Sequence, residues 1–178
     1  ISFFYILLIF VGLVVNILEA VIKDMMTGGI ANYLNAIAGL LLIATLCKIN
    51  TIHIDARGEY RDLHWSSMTL PWIIGYTIWN WVFVYLNLGF GNALVHVAVL
   101  GSALIIGFID EERWLQARVF TLGTFFIMFY SFPHLSSRLL VGGTNEQFGF
   151  LAALATFGFM LGYAYLFIRR AIFIKQSR

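Results

Sequence analysis

The sequence predicts an all-α protein, a polytopic integral membrane bundle of about six transmembrane helices. Of its 178 residues, 61% are hydrophobic and 11% are charged, whereas a soluble domain carries roughly 25% charged residues. There are only two prolines. The apolar residues gather in long runs, most of them long enough for a helix to cross about 30 Å of hydrocarbon. We therefore expect residues 1–178 to form a single transmembrane domain in contact with the lipid bilayer.

Six apolar segments support this architecture. They cover residues 3–22, 30–47, 68–88, 91–109, 119–135 and 148–168. Pro133 and His134 interrupt the end of the fifth segment. Glycines mark three short connections, at 27–29, 89–91 and 142–144, and tight turns predict that consecutive helices are antiparallel neighbours. The longest polar stretch, 50–67, is predicted to be a solvated loop or a short interfacial helix.

The basic residues predict the orientation. Six crossings place both ends of the chain on one side, together with the second and fourth connections. Nine of the 11 Lys and Arg residues then fall on that side: Lys48, Arg57, Arg61, Arg113, Arg118, Arg169, Arg170, Lys175 and Arg178. Lys23 and Arg138 fall on the other side. By the positive-inside rule both ends are predicted to be cytoplasmic. Trp65 and Trp114 are then expected at the cytoplasmic membrane interface.

Composition and motifs exclude several classes of protein. The net charge of +2 is too small, and the basic residues too scattered, for a nucleic-acid surface. Cys47 is the only cysteine, which excludes an intrachain disulfide or a cysteine metal cluster. The chain has no GxSxG, HExxH or Walker sequence. The sequence therefore predicts no catalytic residue and no metal ligand, and leaves the cofactor open, including a pigment or haem. Because it begins with Ile1, we expect a fragment that lacks upstream sequence.

Polar residues within the apolar segments crowd into the outer half of the predicted bundle. Lipid cannot satisfy amides or carboxylates, so these groups are expected to face each other or water. We predict that they line a vestibule open to the outside. The candidate binding residues are Asn16, Glu19, Lys23, Asn35, Tyr76, Asn80, Asn87, Asn92 and His96.

Glu19 is predicted to be the functional carboxylate of this vestibule. Asn16 lies one turn deeper on the same segment, and Asn35 on the next segment is close enough in register to hydrogen-bond it. Lys23 follows at the i,i+4 spacing at which Glu and Lys side chains meet on a helix. Two alternatives stay open. The asparagines could serve only to bond across helices, and Glu19 with Lys23 could be an interfacial ion pair that closes the helix.

A GxxxG pattern marks the last apolar segment. Gly158 and Gly162, with Ala155 about one turn earlier, predict a close approach between helices. The pattern does not indicate whether the neighbour is another helix of this chain, a second copy or a partner in a membrane complex.

Four stretches in order resemble a family of bacterial multi-spanning membrane proteins known only as a domain of unknown function. They are NILEAVIKD, NAIAG, YTIWNWVFVYLN and WLQARVFTL, which begin at Asn16, Asn35, Tyr76 and Trp114. The family pattern has a His between the Gln and Arg of the last stretch, where this chain has Ala117. That departure argues against a catalytic role at the position. The resemblance covers the chain to about Leu122, and it implies a multi-pass protein of the bacterial inner membrane without implying an activity.

Two functions follow as expectations. The first is a transporter or channel component that moves a small polar solute or ion through the vestibule. The second is a non-catalytic structural or assembly subunit of a larger membrane complex, in which the polar cluster only sets helix register. An intramembrane enzyme is a weaker third, because no nucleophile–base or metal constellation is present.

Overall fold

The computed structural model describes residues 3–55, 62–134, 137 and 142–176. Six α-helices run through this part of the chain: α1 (Phe3–Thr27), α2 (Ile30–Ala44), α3 (Leu70–Leu88), α4 (Phe90–Ile109), α5 (Trp114–Ser131) and α6 (Glu146–Gln176). Each corresponds to one of the six predicted apolar segments. The all-α class is therefore confirmed.

Three of the six helices are long and apolar enough to cross a membrane: α1, α4 and α6 over the windows Phe4–Thr27, Phe90–Ile109 and Glu146–Phe173. The 15 residues of α2 are apolar but rise only about 22 Å. The other two helices, α3 and α5, carry Asn, Gln or Arg and do not meet the same standard of apolarity.

Three glycine turns lie at one end of the bundle, here called the glycine end. Gly28 and Gly29 separate α1 from α2, and Gly89 separates α3 from α4, all with positive φ, which residues with a Cβ rarely adopt. A Cβ on Gly89 would stand 2.8 Å from the carbonyl oxygen of Gly142, so these two turns touch. The short connections thus give antiparallel neighbours, as the sequence predicts.

The opposite end carries a small β-ribbon, which corrects the prediction of a loop or short helix over 50–67. A 3-10 turn (Ile49–Thr51) leads into β1 (Ile52–Ile54), which pairs antiparallel with β2 (Leu63–Trp65). Gln116 on α5 holds the ribbon, because its Oε1 accepts from the Leu63 N–H at 2.6 Å and its Nε2 donates to Asp62 Oδ1 at 2.9 Å. Alternation of Ile52, His53 and Ile54 suits a strand with one buried face. Residues 56–61 of the predicted loop lie outside the described residues.

Large aromatic side chains form the core around α3, which contacts α1, α2, α4 and α6. Trp72, Tyr76 and Trp114 stack or meet edge-on at 5.1–5.6 Å between ring centroids. Trp65 and Trp114 are both 0% exposed, so neither indole is free to contact lipid headgroups, and their level in a bilayer stays a prediction. The ribbon and a second 3-10 turn, Glu111–Arg113, cover the end of the bundle opposite the glycine end, and the two indoles pack beneath them.

Candidate functional site: a polar cavity between four helices

A cavity of about 560 Å³ lies between α1, α3, α4 and α5. Six of the nine predicted binding residues line it: Asn16, Glu19, Lys23, Asn80, Asn92 and His96. Its deep side chains are buried, with Asn80 8%, His96 9% and Arg118 5% exposed. Met26 and Tyr130, towards the glycine end, are 79% and 75% exposed. The cavity therefore has an exposed rim and a buried polar floor.

The register of α1 decides which of its polar side chains reach this cavity. Asn16, Glu19 and Lys23 follow one another at spacings of three and four and share a face that lines the cavity. Glu19 and Lys23 are both exposed. Neither a hydrogen bond nor an ion pair joins their side chains in the described part of the chain. The structure thus places Glu19 on the cavity wall, towards the rim.

The expected bond between Asn35 and Glu19 is wrong, because Asn35 binds Asp24 instead. Asp24 is five residues beyond Glu19, which turns it about 140° around the helix. It continues the buried face of α1, with Leu13, Ile17 and Ala20 at spacings of four, three and four. A search for carboxylates in that apolar repeat could have found Asp24 in the sequence.

Four polar residues form the Asp24 cluster: Asp24, Asn32, Asn35 and Asn87. Asp24 Oδ1 accepts from Asn87 Nδ2 at 2.6 Å and from Asn32 Nδ2 at 3.1 Å. Asp24 Oδ2 accepts from Asn35 Nδ2 at 2.7 Å. The carboxylate is 0% exposed and joins α1 to α2 and α3 next to the first glycine turn. Two of the nine predicted site residues, Asn35 and Asn87, therefore lie here rather than in the cavity.

Tyr76, the remaining predicted residue, lies beneath the cavity in the aromatic core. It is 1% exposed, and its hydroxyl stands 3.4 Å both from Asn16 Oδ1 and from Asn80 Nδ2. The ring of Tyr76 also faces the guanidinium of Arg118, with Cζ 5.9 Å from the ring centroid. Tyr76 thus contacts three residues that line the cavity, Asn16, Asn80 and Arg118, without lining it itself.

Arg118 is the functional candidate that sequence reasoning missed, because it was assigned to a cytoplasmic connection. The helix α5 begins at Trp114, five residues before the predicted segment, so Arg118 lies inside the bundle. It shares a face with Leu122, Phe125 and Phe129 at spacings of four, three and four, and all four line the cavity. That repeat is visible in the sequence once the helix is extended towards its N-terminus.

The lining groups suit noncovalent binding of a polar solute. Nδ1 of His96 lies 2.9 Å from the carbonyl oxygen of Asn92, and its ring meets Phe125 edge-on at 5.1 Å. Within the described part of the chain, no group of three His, Cys, Asp or Glu residues is placed to hold a metal ion. Hydrogen-bonding amides, one imidazole and charged side chains on an apolar wall are typical of ligand sites.

The fold and cavity define a class: a helical bundle with three helices of membrane-spanning length and a polar cavity between four of its helices. The chain belongs to a family of unknown function, DUF5692, whose model matches residues 2–172. The match extends well past Leu122, where the resemblance of the four stretches ends. No curated protein and no solved structure matches the chain.

Proposed function

We propose that this protein is an integral membrane protein whose helices all insert in the bilayer, with the glycine end outside and the ribbon end in the cytoplasm. The outward surfaces of the helices support insertion. Large apolar side chains are exposed there, such as Val97 at 55%, Ile105 at 61% and Leu166 at 54%. Extended apolar surface of this kind is rare on a soluble monomer. Assignment to the inner membrane of a bacterium rests on the resemblance alone.

Within the membrane, we propose that the protein is a transporter or channel component and that the cavity is its solute pathway. The observation that carries this proposal is the cavity itself, about 560 Å³ with a polar floor and an exposed rim. Polar side chains in a bundle interior are costly in lipid unless they face water or one another. Asn80 and His96 each form a hydrogen bond within the protein, with Tyr76 and with the Asn92 carbonyl oxygen. Both residues also line this space, where water or a solute can satisfy the polar atoms that remain.

Cysteine accessibility tests this proposal without knowledge of the solute. Glu19→Cys and Asn92→Cys line the cavity, whereas Leu94→Cys is an exposed control position on α4, 53% accessible and outside the cavity lining. With Cys47 replaced by Ser, we expect a charged thiosulfonate reagent to modify positions 19 and 92 in intact cells but not position 94. Cysteines at 19 and 92 that are as unreactive as the one at 94 would contradict a water-filled pathway.

Glu19 is the carboxylate that we expect to matter in transport. In liposome swelling with small neutral, cationic and anionic solutes, wild-type protein should admit at least one solute faster than empty liposomes do. Glu19→Gln should reduce that rate or change its dependence on pH, since the charge on the wall is lost while the side-chain shape is kept. Glu112→Gln, at the ribbon end, is the matched control. An unchanged rate in Glu19→Gln would separate Glu19 from the pathway.

A second candidate, a subunit of a membrane complex, is favoured by the GxxxG face of α6. Gly158 and Gly162 are exposed, and a Cβ added to either would have no atom of the described residues within 4 Å. The face is therefore free for a second copy or another membrane protein. Native mass after mild detergent extraction separates the candidates, because a partner at fixed ratio would favour the subunit.

A further inference from the structure

Arg118 holds a buried positive charge that the described residues do not neutralise. Its side chain is 5% exposed, and its Nε and Nη1 are buried without a hydrogen-bond partner. Within the described part of the chain, the guanidinium faces the ring of Tyr76. Within the described ranges no carboxylate lies within ion-pair distance of it, although Glu19 lines the same cavity. Arg118 itself lines the cavity floor, so a modest rotation of its side chain would bring these unpaired donors to a ligand there.

The contrast with Arg113, five residues earlier and just before α5, shows that the fold does supply carboxylates elsewhere. Arg113 Nη1 lies 3.3 Å from Asp62 Oδ2, and its Nε lies 3.1 Å from Asp110 Oδ2. Arg113 is also 49% exposed, so it needs such partners less than Arg118 does. Burial of an unpaired guanidinium is expensive, and a charged residue inside a membrane bundle is usually retained for function.

The groups around Arg118 define the chemistry of the missing partner. A guanidinium offers paired N–H donors that fit an oxyanion. Asn80 and His96 add hydrogen-bonding capacity at the same depth, and Phe125 and Phe129 give an apolar wall on the side of α5. Among the described residues Arg118 is the one cation at the floor, because Lys23 lies with Glu19 nearer the rim, where their opposite charges offset each other. One guanidinium at the floor matches a single negative charge on the ligand.

We propose that Arg118 binds the carboxylate of a monoanionic organic acid whose apolar body lies against Phe125 and Phe129. This inference rests on the proposed function, because it names the solute class of the same cavity. The cavity volume of about 560 Å³ falls in the range of small-molecule sites, roughly 300–1,000 Å³. The same oxyanion chemistry could come from a free acid or from a lipid headgroup, and we assign the free acid because Arg118 is buried at the floor of the cavity, away from its exposed rim.

Thermal unfolding of the purified full chain in neutral phosphatidylcholine nanodiscs tests the proposal. The probes are hexanoate, benzoate and phenylacetate, with hexanamide as the uncharged control. We expect at least one acid, but not hexanamide, to raise the Tm in a saturable way. In Arg118→Met the apparent affinity should fall at least about tenfold, as expected for loss of a charge-assisted hydrogen bond. Arg169→Met, an exposed arginine of α6, should bind like wild type.

A second readout distinguishes binding from a structural role. Without ligand, Arg118→Met should have a Tm equal to or above that of wild type, since it removes an uncompensated buried charge. A clear loss of stability, a failure of all three acids to raise the Tm, or an equal response in Arg118→Met would overturn the proposal. The proposal would also be overturned if phosphatidylglycerol alone raised the Tm of wild type but not that of Arg118→Met, because the bound oxyanion would then be a lipid headgroup. If cysteines at positions 19 and 92 react in intact cells but no acid binds, this inference fails while the proposed solute pathway stands.

Discussion

At the scale of single residues, three amides from two neighbouring helices converge on the carboxylate of Asp24. Hydrogen bonds to a charged group are worth about 1.5–3 kcal/mol each, and buried donors left unpaired cost about 1–3 kcal/mol. Asp24 is buried beside Asn32 and Asn35, so water cannot replace the carboxylate as the acceptor for these donors. The cluster is therefore a strong determinant of how α1 packs on α2 and α3.

We expect Asp24→Ala to lower the free energy of unfolding by about 3 kcal/mol or more. Asp24→Asn should cost less, because one oxygen remains to accept. Glu19→Ala is the matched control on the same helix, and it should change stability by no more than about 0.5 kcal/mol because Glu19 is exposed. Reversible unfolding in mixed detergent micelles measures all three. Similar losses for Asp24→Ala and Glu19→Ala would show that the Asp24 cluster does not hold the helices together.

At the scale of elements, α2 approaches α1 and α3 closely at Gly39. A Cβ at this position would stand 2.6 Å from Val21 Cγ2 on α1 and 2.9 Å from Trp79 Nε1 on α3. The indole of Trp79 cannot easily move, because it is fully buried and its N–H donates to the Asn35 carbonyl oxygen at 2.9 Å. The glycine thus permits the helix contacts that bring the asparagines of α2 to Asp24.

Gly39→Ala should therefore destabilise the protein by about 1–3 kcal/mol, the usual cost of overpacking a core. Gly12→Ala on α1 is the control, since a Cβ there would meet no atom of the described residues within 4 Å beyond its own helix backbone. That change should be neutral or slightly stabilising, because alanine is the better helix former. The Tm of each variant in the same nanodisc reports the difference. A Gly39→Ala protein as stable as Gly12→Ala would mean that α2 lies further from its neighbours than described.

At the scale of the whole molecule, the ends of the bundle have different characters. The glycine turns and the cavity rim share one end, while the β-ribbon and the second half of α6 share the other. The hydroxyls of Thr69 and Tyr163, 2.9 Å apart, fix α6 to the ribbon end. The helix continues beyond this contact to Arg169 and Arg170, both exposed. These basic residues are the ones expected beside cytoplasmic headgroups.

The proposed orientation places the glycine end outside the cell and the ribbon end in the cytoplasm. In a Cys47→Ser background, we expect Gly143→Cys at the glycine end to react with an impermeant maleimide in intact cells. His53→Cys on the ribbon and Arg170→Cys on α6 should react only after permeabilisation. All three positions are exposed, so a difference in labelling reports the side of the membrane on which each position lies. Labelling of position 53 or 170 from outside would invert or break the proposed topology.

The six apolar segments and the three glycine turns could be predicted from the sequence. Helix periodicity and the positive φ of glycine depend only on neighbouring residues. The same periodicity grouped Asn16, Glu19 and Lys23 on one face. The same periodicity is present in the apolar repeat of α1 that ends at Asp24 and in the repeat of α5 that begins at Arg118, although neither residue was predicted from the sequence as part of its site. The β-ribbon was not predictable in this way, because its pairing depends on contacts with Gln116 more than 50 residues away.

Sequence by itself therefore determined the helical class, the apolar character and the membership in DUF5692. Tertiary structure decided which polar groups share a site. Asn35 could have faced either carboxylate of α1, and the close approach of α2 at Gly39 sets it against Asp24. Arg118 could have been a loop cation, and the packing of α5 on α4 turns it into the cavity beside His96. A side chain's partner depends on the rotation and separation of whole helices, which no short stretch of sequence encodes.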